Sequence, residues 1–134
     1  MNSQHVVGES MMILRSLVSV VDDDESVRES LPDLLHELGF AAKAFPSAEA
    51  FLASDQVDAT GCLILDIAMP GMSGPELARE LTRREKPTPV IFITAHGDGT
   101  TGPDLIGEGA VACLLKPFSE SALLEALHEA FRTH

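Results

Sequence analysis

LVSVVDDDESVRESLPDLLHEL, residues 17–38, holds three signals in succession. Leu17–Val21 is a short apolar run of the kind that forms a buried strand. It stops abruptly in three acids, Asp22, Asp23 and Asp24. Val27, Leu31, Leu34, Leu35 and Leu38 then recur at helical spacing over Ser26–Leu38, and Gly39 supplies a stop. Pro32 removes one backbone donor from this helix and predicts a kink. The unit is therefore strand, acidic turn, helix.

The same alternation continues along the chain. Phe40–Phe45 reads as a strand, and Ser47–Ala53 as a short helix with a Ser cap and Glu49 in its first turn. Cys62–Asp66 is a third strand. Met69–Gly74, punctuated by Pro70, Gly71 and Gly74, is a loop. Pro75–Arg84 is a helix with Pro in its first turn. Pro89–Thr94 and Cys113–Leu115 are the fourth and fifth strands. Ser119–Phe131 is a last helix with Leu123, Leu124, Leu127 and Phe131 as its apolar stripe. Strands alternating with helices imply parallel strands joined by right-handed crossovers. Strands apolar throughout fit a sheet covered on both faces. The expected fold is α/β, a doubly wound five-stranded parallel sheet with helices on both sides. Residues 1–15 lack periodicity and read as an N-terminal extension, with the domain over 16–134.

Composition narrows the function. The chain has 134 residues, 45% of them apolar, enough for one domain with a real core. Its apolar runs are too short to cross a bilayer, and residues 1–15 lack a signal-peptide pattern, so no membrane role and a cytoplasmic location are expected. A net charge of −12, with no Trp and no Tyr, argues against a nucleic-acid partner. Cys62 and Cys113 lie in apolar runs and read as buried thiols, and the five histidines show no metal-ligand spacing.

In such sheets ligands bind beyond the carboxyl ends of the strands. There the chain places Asp22, Asp23 and Asp24 after the first strand, Asp66 at the end of the third, Thr94 at the end of the fourth, and Lys116–Pro117 after the fifth. Clustered carboxylates repel one another unless they are protonated or share a cation. A hard divalent ion such as Mg²⁺ relieves this and leaves room for a phosphate. Asp66 then reads as a carboxylate nucleophile, with Lys116 and Mg²⁺ neutralising the phosphoryl oxygens and Thr94 donating a hydrogen bond. The bland alternatives are solvated turns and helix caps. Asp24 stands where a cap for the following helix belongs.

Together these residues resemble the response-regulator receiver family, the CheY-like phosphoacceptors of two-component signalling. The resemblance covers about residues 16–132. VDDDESVRESL, LILDIAMPGMSG, VIFITAHGD and LLKPF are most similar to the FixJ-like subgroup. It implies a flavodoxin-like strand order 2-1-3-4-5, the order of CheY itself. It implies Asp66 as phosphoacceptor and Mg²⁺ as cofactor. Asp23 would bind the metal directly, Asp22 through water, and Ala68 through its backbone carbonyl; a shift of the acidic pair to Asp23 and Asp24 is the alternative. It further implies Thr94 as the switch hydroxyl, Lys116 as the phosphate contact, a cis Lys116–Pro117 bond, and Ala68 and His96 flanking the phosphate. The implied partners are a histidine kinase or phosphotransfer protein and a downstream protein target, with a phosphorylation-dependent homodimer left open.

Three departures stand out. Cys113 occupies a position where the family usually has Tyr or Phe. Residues 97–109 contain five glycines and Pro103, which predicts a short, frayed or displaced helix. No DNA-binding output segment follows, so a stand-alone domain is expected. An adaptor that no longer depends on phosphate is a second reading. A phosphatase is disfavoured because Ala68 stands where its second acid belongs, and a flavin protein because Asp22–Glu25 replaces a phosphate cradle.

Overall fold

The computed structural model describes residues 17–95 and 109–132. The expectations for the 1–15 extension, for His96 and for a helix within 97–108 lie outside these residues. Five strands form one parallel sheet: β1 Leu17–Val21, β2 Ala41–Phe45, β3 Thr60–Asp66, β4 Val90–Thr94 and β5 Ala112–Leu115. Their order is β2-β1-β3-β4-β5, as expected, with every neighbouring pair parallel. The described helices are α1 Glu25–Glu37, α2 Ala48–Ala53, α3 Gly74–Arg83 and α4 Glu120–Arg132.

The alternation of side chains along β1 and β3 divides the core into two layers. Val18, Val20, Cys62 and Ile64 pack with Leu31 and Leu35 of α1 and Leu123 and Leu127 of α4. Val21, Leu63 and Leu65 pack on the other face with Phe51 of α2 and Leu77 and Leu81 of α3. Both faces of the central strands are thus covered, which explains why their sequences are apolar without interruption.

The boundaries differ from the sequence reading in instructive places. α1 runs through Pro32 as one continuous helix. It ends with Gly39 at φ +98, where the Phe40 N–H donates to Leu35 O (2.9 Å) and the Gly39 N–H to His36 O (3.0 Å). That double closure uses up Phe40 as part of the helix stop, so β2 begins one residue later. Phe40 instead stacks on Phe131, ring centres 5.6 Å apart. β3 starts at Thr60, two residues before its apolar signal. The single Thr60 hydroxyl proton goes to Gln56 O (2.6 Å), so Ser19 donates to Thr60 Oγ1 (2.7 Å), and this buried polar pair joins β1 to the start of β3.

Candidate functional site

The parallel sheet sends the ends of β1, β3, β4 and β5 to one edge. Asp22 follows β1 and is fully buried (0% exposed). Its surroundings bind it on three sides. Its N–H donates to Phe45 O (3.2 Å), its Oδ1 accepts the Asp24 N–H (2.9 Å), and its Oδ2 accepts from Lys116 Nζ (3.0 Å). Arg28, one turn into α1, donates to the Asp22 carbonyl (2.9 Å). Asp24 is the helix cap: its Oδ1 accepts from the backbone N–H and the hydroxyl of Ser26 (2.9 and 2.8 Å), and these bonds hold its carboxyl below the usual range. Asp24 is thus engaged as a cap, while Asp22 and Asp23 each offer an oxygen near Asp66.

Asp66 ends β3 with 8% of its surface exposed. Asp22, Asp23 and Asp66 each offer an oxygen within 4.8 Å of the others. Burial, then the Asp22 charge, push the Asp66 carboxyl up to about 7, against the pull of Lys116; a hydrogen bond and charge from Asp23 add to the rise. The Lys116 ammonium is drawn down by burial but pushed up on balance by its bond to Asp22 and by the charges of Asp22, Asp66 and Asp24. One lysine thus faces three carboxylates, and the surplus negative charge is what a divalent cation would neutralise. The oxygen-only donor set and its spacing fit Mg²⁺.

Thr94 closes β4 and is buried (6% exposed), its hydroxyl donating to Ala95 O (2.8 Å). The Lys116 N–H donates to Thr94 O (2.8 Å), tying the two positions together through backbone, and the Lys116–Pro117 bond is cis as expected. Ala68 is exposed, two residues beyond Asp66 in the loop before α3. Cys113 pairs in register with Phe92 and packs on the α2/α3 side of the sheet. Cys62 is an inert core thiol, pushed by burial up to about 12.

Gly74, read in the sequence as loop punctuation, has a sharper role. A Cβ there would stand 2.3 Å from Asp66 O and 3.2 Å from the Phe92 ring. Only glycine lets the first turn of α3 close against the strand end that carries Asp66, with the Gly74 N–H donating to Ile67 O (3.1 Å). Ser73 and Glu76 cap that helix reciprocally. Arg28 was also missed, since its partner is a backbone carbonyl that periodicity cannot reveal.

The profile of the response regulator receiver domain family matches residues 18–128. The chain belongs to that family. This receiver domain is 42% identical over 117 residues to the response regulator protein TmoT of Ectopseudomonas mendocina, covering 87% of the chain and 53% of that protein. It is 43% identical over 113 residues to the transcriptional regulatory protein FixJ of Rhizobium meliloti, covering 84% of the chain and 55% of that protein. The structure of FixJ-N superposes with a TM-score of 0.78 at 41% identity, covering 88% of this chain and 94% of that one. That of the response regulator StyR gives 0.79 at 45% identity, covering 87% and 59%. The chain spans about half the length of the curated relatives it matches. It is a receiver domain of the kind found in the response regulators of two-component systems. None of the described helices is long and apolar enough to cross a membrane.

Proposed function

We propose that this receiver domain accepts a phosphoryl group on Asp66 from a phosphohistidine of a histidine kinase or phosphotransfer protein, in the cytoplasm, and passes the change to a protein partner. The reading rests on one observation above the others: three carboxylates and one ammonium converge at a single edge of the sheet, with Asp66 at the centre of the charge conflict. In this reading Asp23 and Asp66 hold Mg²⁺ directly, Asp22 through water, and Ala68 through its backbone carbonyl. Bound Mg²⁺ supplies charge neutralisation of the phosphoryl oxygens and keeps Asp66 ionised at neutral pH.

The Asp66 carboxylate oxygen attacks phosphorus, the P–N bond to the donor imidazole breaks, and its electron pair stays on the imidazole nitrogen, which takes up a proton. Lys116 moves its ammonium from Asp22 towards the new phosphate. Thr94 exchanges its bond to Ala95 O for one to a phosphoryl oxygen, which pulls the end of β4 and the segment after it. That motion biases two states of a surface formed by β5 and α4. Water attack on phosphorus later returns the carboxylate and inorganic phosphate. Ala68 offers no side-chain hydrogen bond to orient that water. The acidic surface favours protein contacts over DNA, whatever else the full polypeptide carries. A phosphorylation-dependent homodimer through the same surface is one form the output could take.

Incubation with Mg²⁺ and acetyl phosphate tests the reading. The expected result is one base-labile phosphoryl group per chain, absent from Asp66→Asn and absent when EDTA replaces Mg²⁺. A protein that gains no phosphate would instead be an adaptor of the same fold, a second reading to which Cys113 at the usual aromatic position lends support.

A further inference from the structure

The loop after Asp66 is held by a carboxylate from a helix distant in sequence. Glu49 lies in the first turn of α2, and its Oε2 accepts the Met72 N–H at 3.0 Å, across 23 residues of sequence. Its mount is rigid. Ser47 caps α2 by accepting the Ala50 N–H (3.0 Å), Ala48 and Phe51 are fully buried, and the Phe51 ring meets Phe45 edge-on at 5.3 Å. Gly71 makes room for the contact. Its φ is +75, and a Cβ would stand 2.8 Å from Glu49 Oε2. Glycine is needed there both for the backbone conformation and for the approach of the carboxylate.

The other supports of the loop lie at its two ends. Ile67 and Met69 are buried in the α2/α3 layer of the core, and the capping box at Ser73 and Glu76 fixes the entry to α3. Between Met69 and Ser73, the Glu49–Met72 bond supplies a side-chain tether. With Pro70 restricting its own φ, the path from Ala68 to Ser73 has few remaining freedoms once Met72 is fixed.

We infer that Glu49 is a positioning residue for the cation site: by holding Met72 it sets the path of Ile67–Ser73, and with it the Ala68 carbonyl that completes the Mg²⁺ ligands. The inference rests on the reading of the site given above. Glu49 touches neither metal nor phosphate. It acts through the loop, so it should alter the affinity of the metal and not the reactivity of Asp66 once metal is bound.

The full chain is used for the test, with Glu49→Ala, Glu49→Gln and Glu49→Asp. In metal-free protein, amide hydrogen exchange at Met72 should quicken in Glu49→Ala. Mg²⁺ affinity by calorimetry should fall about three- to tenfold, the size expected for one exposed charge-assisted hydrogen bond. At saturating Mg²⁺ the rate of phosphorylation by acetyl phosphate should return to that of wild type. Glu49→Gln, which keeps an acceptor of the same reach, should stay within about twofold of wild type in Mg²⁺ affinity. Glu49→Asp, one methylene too short, should resemble Glu49→Ala and carries the test if Glu49→Ala does not fold. Unchanged Mg²⁺ affinity in both Glu49→Ala and Glu49→Asp overturns the inference. So does Glu49→Gln falling as far as Glu49→Ala, since that makes the effect one of charge alone. Wild-type protein that binds no Mg²⁺ overturns the site reading and the inference together.

Discussion

Asp66→Asn should make the metal-free domain more stable above neutrality and flatten its response to pH. Asp66 moves from the ordinary carboxylate value of 3.8 to about 7 on folding, because burial and then the Asp22 charge oppose its ionisation more than Lys116 favours it. Between those two values the folded state keeps a proton that the unfolded chain releases. Stability contributed by that proton is complete below about pH 4, falls as pH rises, and is gone above about pH 7. From about pH 5 to pH 7 an unscreened group would lose about 2 kcal/mol, and about 1 kcal/mol if solvent at the sheet edge screens half of it. Asn has no proton to lose. Wild type should therefore lose about 1–2 kcal/mol more than Asp66→Asn across this range, or about 4–8 °C in Tm for a domain of this size. Thermal melts followed by circular dichroism in EDTA, at about pH 5, 6, 7 and 8, measure the difference directly. Adding Mg²⁺ at pH 8 should raise the wild-type Tm and leave Asp66→Asn nearly unmoved, because the ion binds the ionised cluster. Parallel pH curves for the two proteins in EDTA would refute the reasoning, since Asp66 would then carry no folding-linked proton.

Three further outcomes follow from the same geometry. Lys116→Met leaves the buried Asp22 carboxylate without its 3.0 Å cation partner; chemical denaturation should show a loss of about 2–4 kcal/mol without metal, partly recovered by Mg²⁺, and phosphorylation by acetyl phosphate should slow by roughly a hundredfold. Asp23→Asn changes an exposed side chain, so the melt should barely move while calorimetry shows Mg²⁺ binding weakened at least about tenfold. Gly74→Ala forces a Cβ to 2.3 Å from Asp66 O; urea unfolding should report a loss of about 1–3 kcal/mol, with slower phosphorylation of what remains folded.

The strands and the acids that follow them were legible because each is written in local sequence. Leu17–Val21 and Cys62–Leu65 are apolar and stop in Asp, and a parallel sheet turns those stops into one edge. Asp24 could be assigned as a cap from its position alone, and its bonds to Ser26 agree. The start of β3 was not legible, because Thr60 and Gly61 carry no apolar signal and Thr60 is kept in the strand by a hydroxyl pair with Ser19, 41 residues away. Arg28, Glu49 and Gly74 were missed as parts of the site for a related reason. Each acts on backbone atoms, of Asp22, Met72 and Asp66 respectively, and a backbone partner leaves no mark in the identity of the residue it belongs to.

The same arrangement supports the switching proposed for the site. Asp22 is fully buried and has Lys116 as an ion-pair partner, so in the absence of metal the lysine is committed to keeping that carboxylate tolerable. Burial and the Asp22 charge push the Asp66 carboxyl up against the pull of the same lysine. In the proposed function, a divalent ion held by Asp22, Asp23 and Asp66 would supply the missing positive charge. A phosphoryl group on Asp66 would, on the same proposal, bring negative charge back, and Lys116, now bonded to Asp22, would follow it. Because the Lys116 N–H is bonded to Thr94 O, a shift of either residue is felt by the other and by the ends of β4 and β5. On the proposed function, this charge conflict would be what a change of phosphorylation state acts on, and a site with its charges fully balanced at rest would have little to transmit.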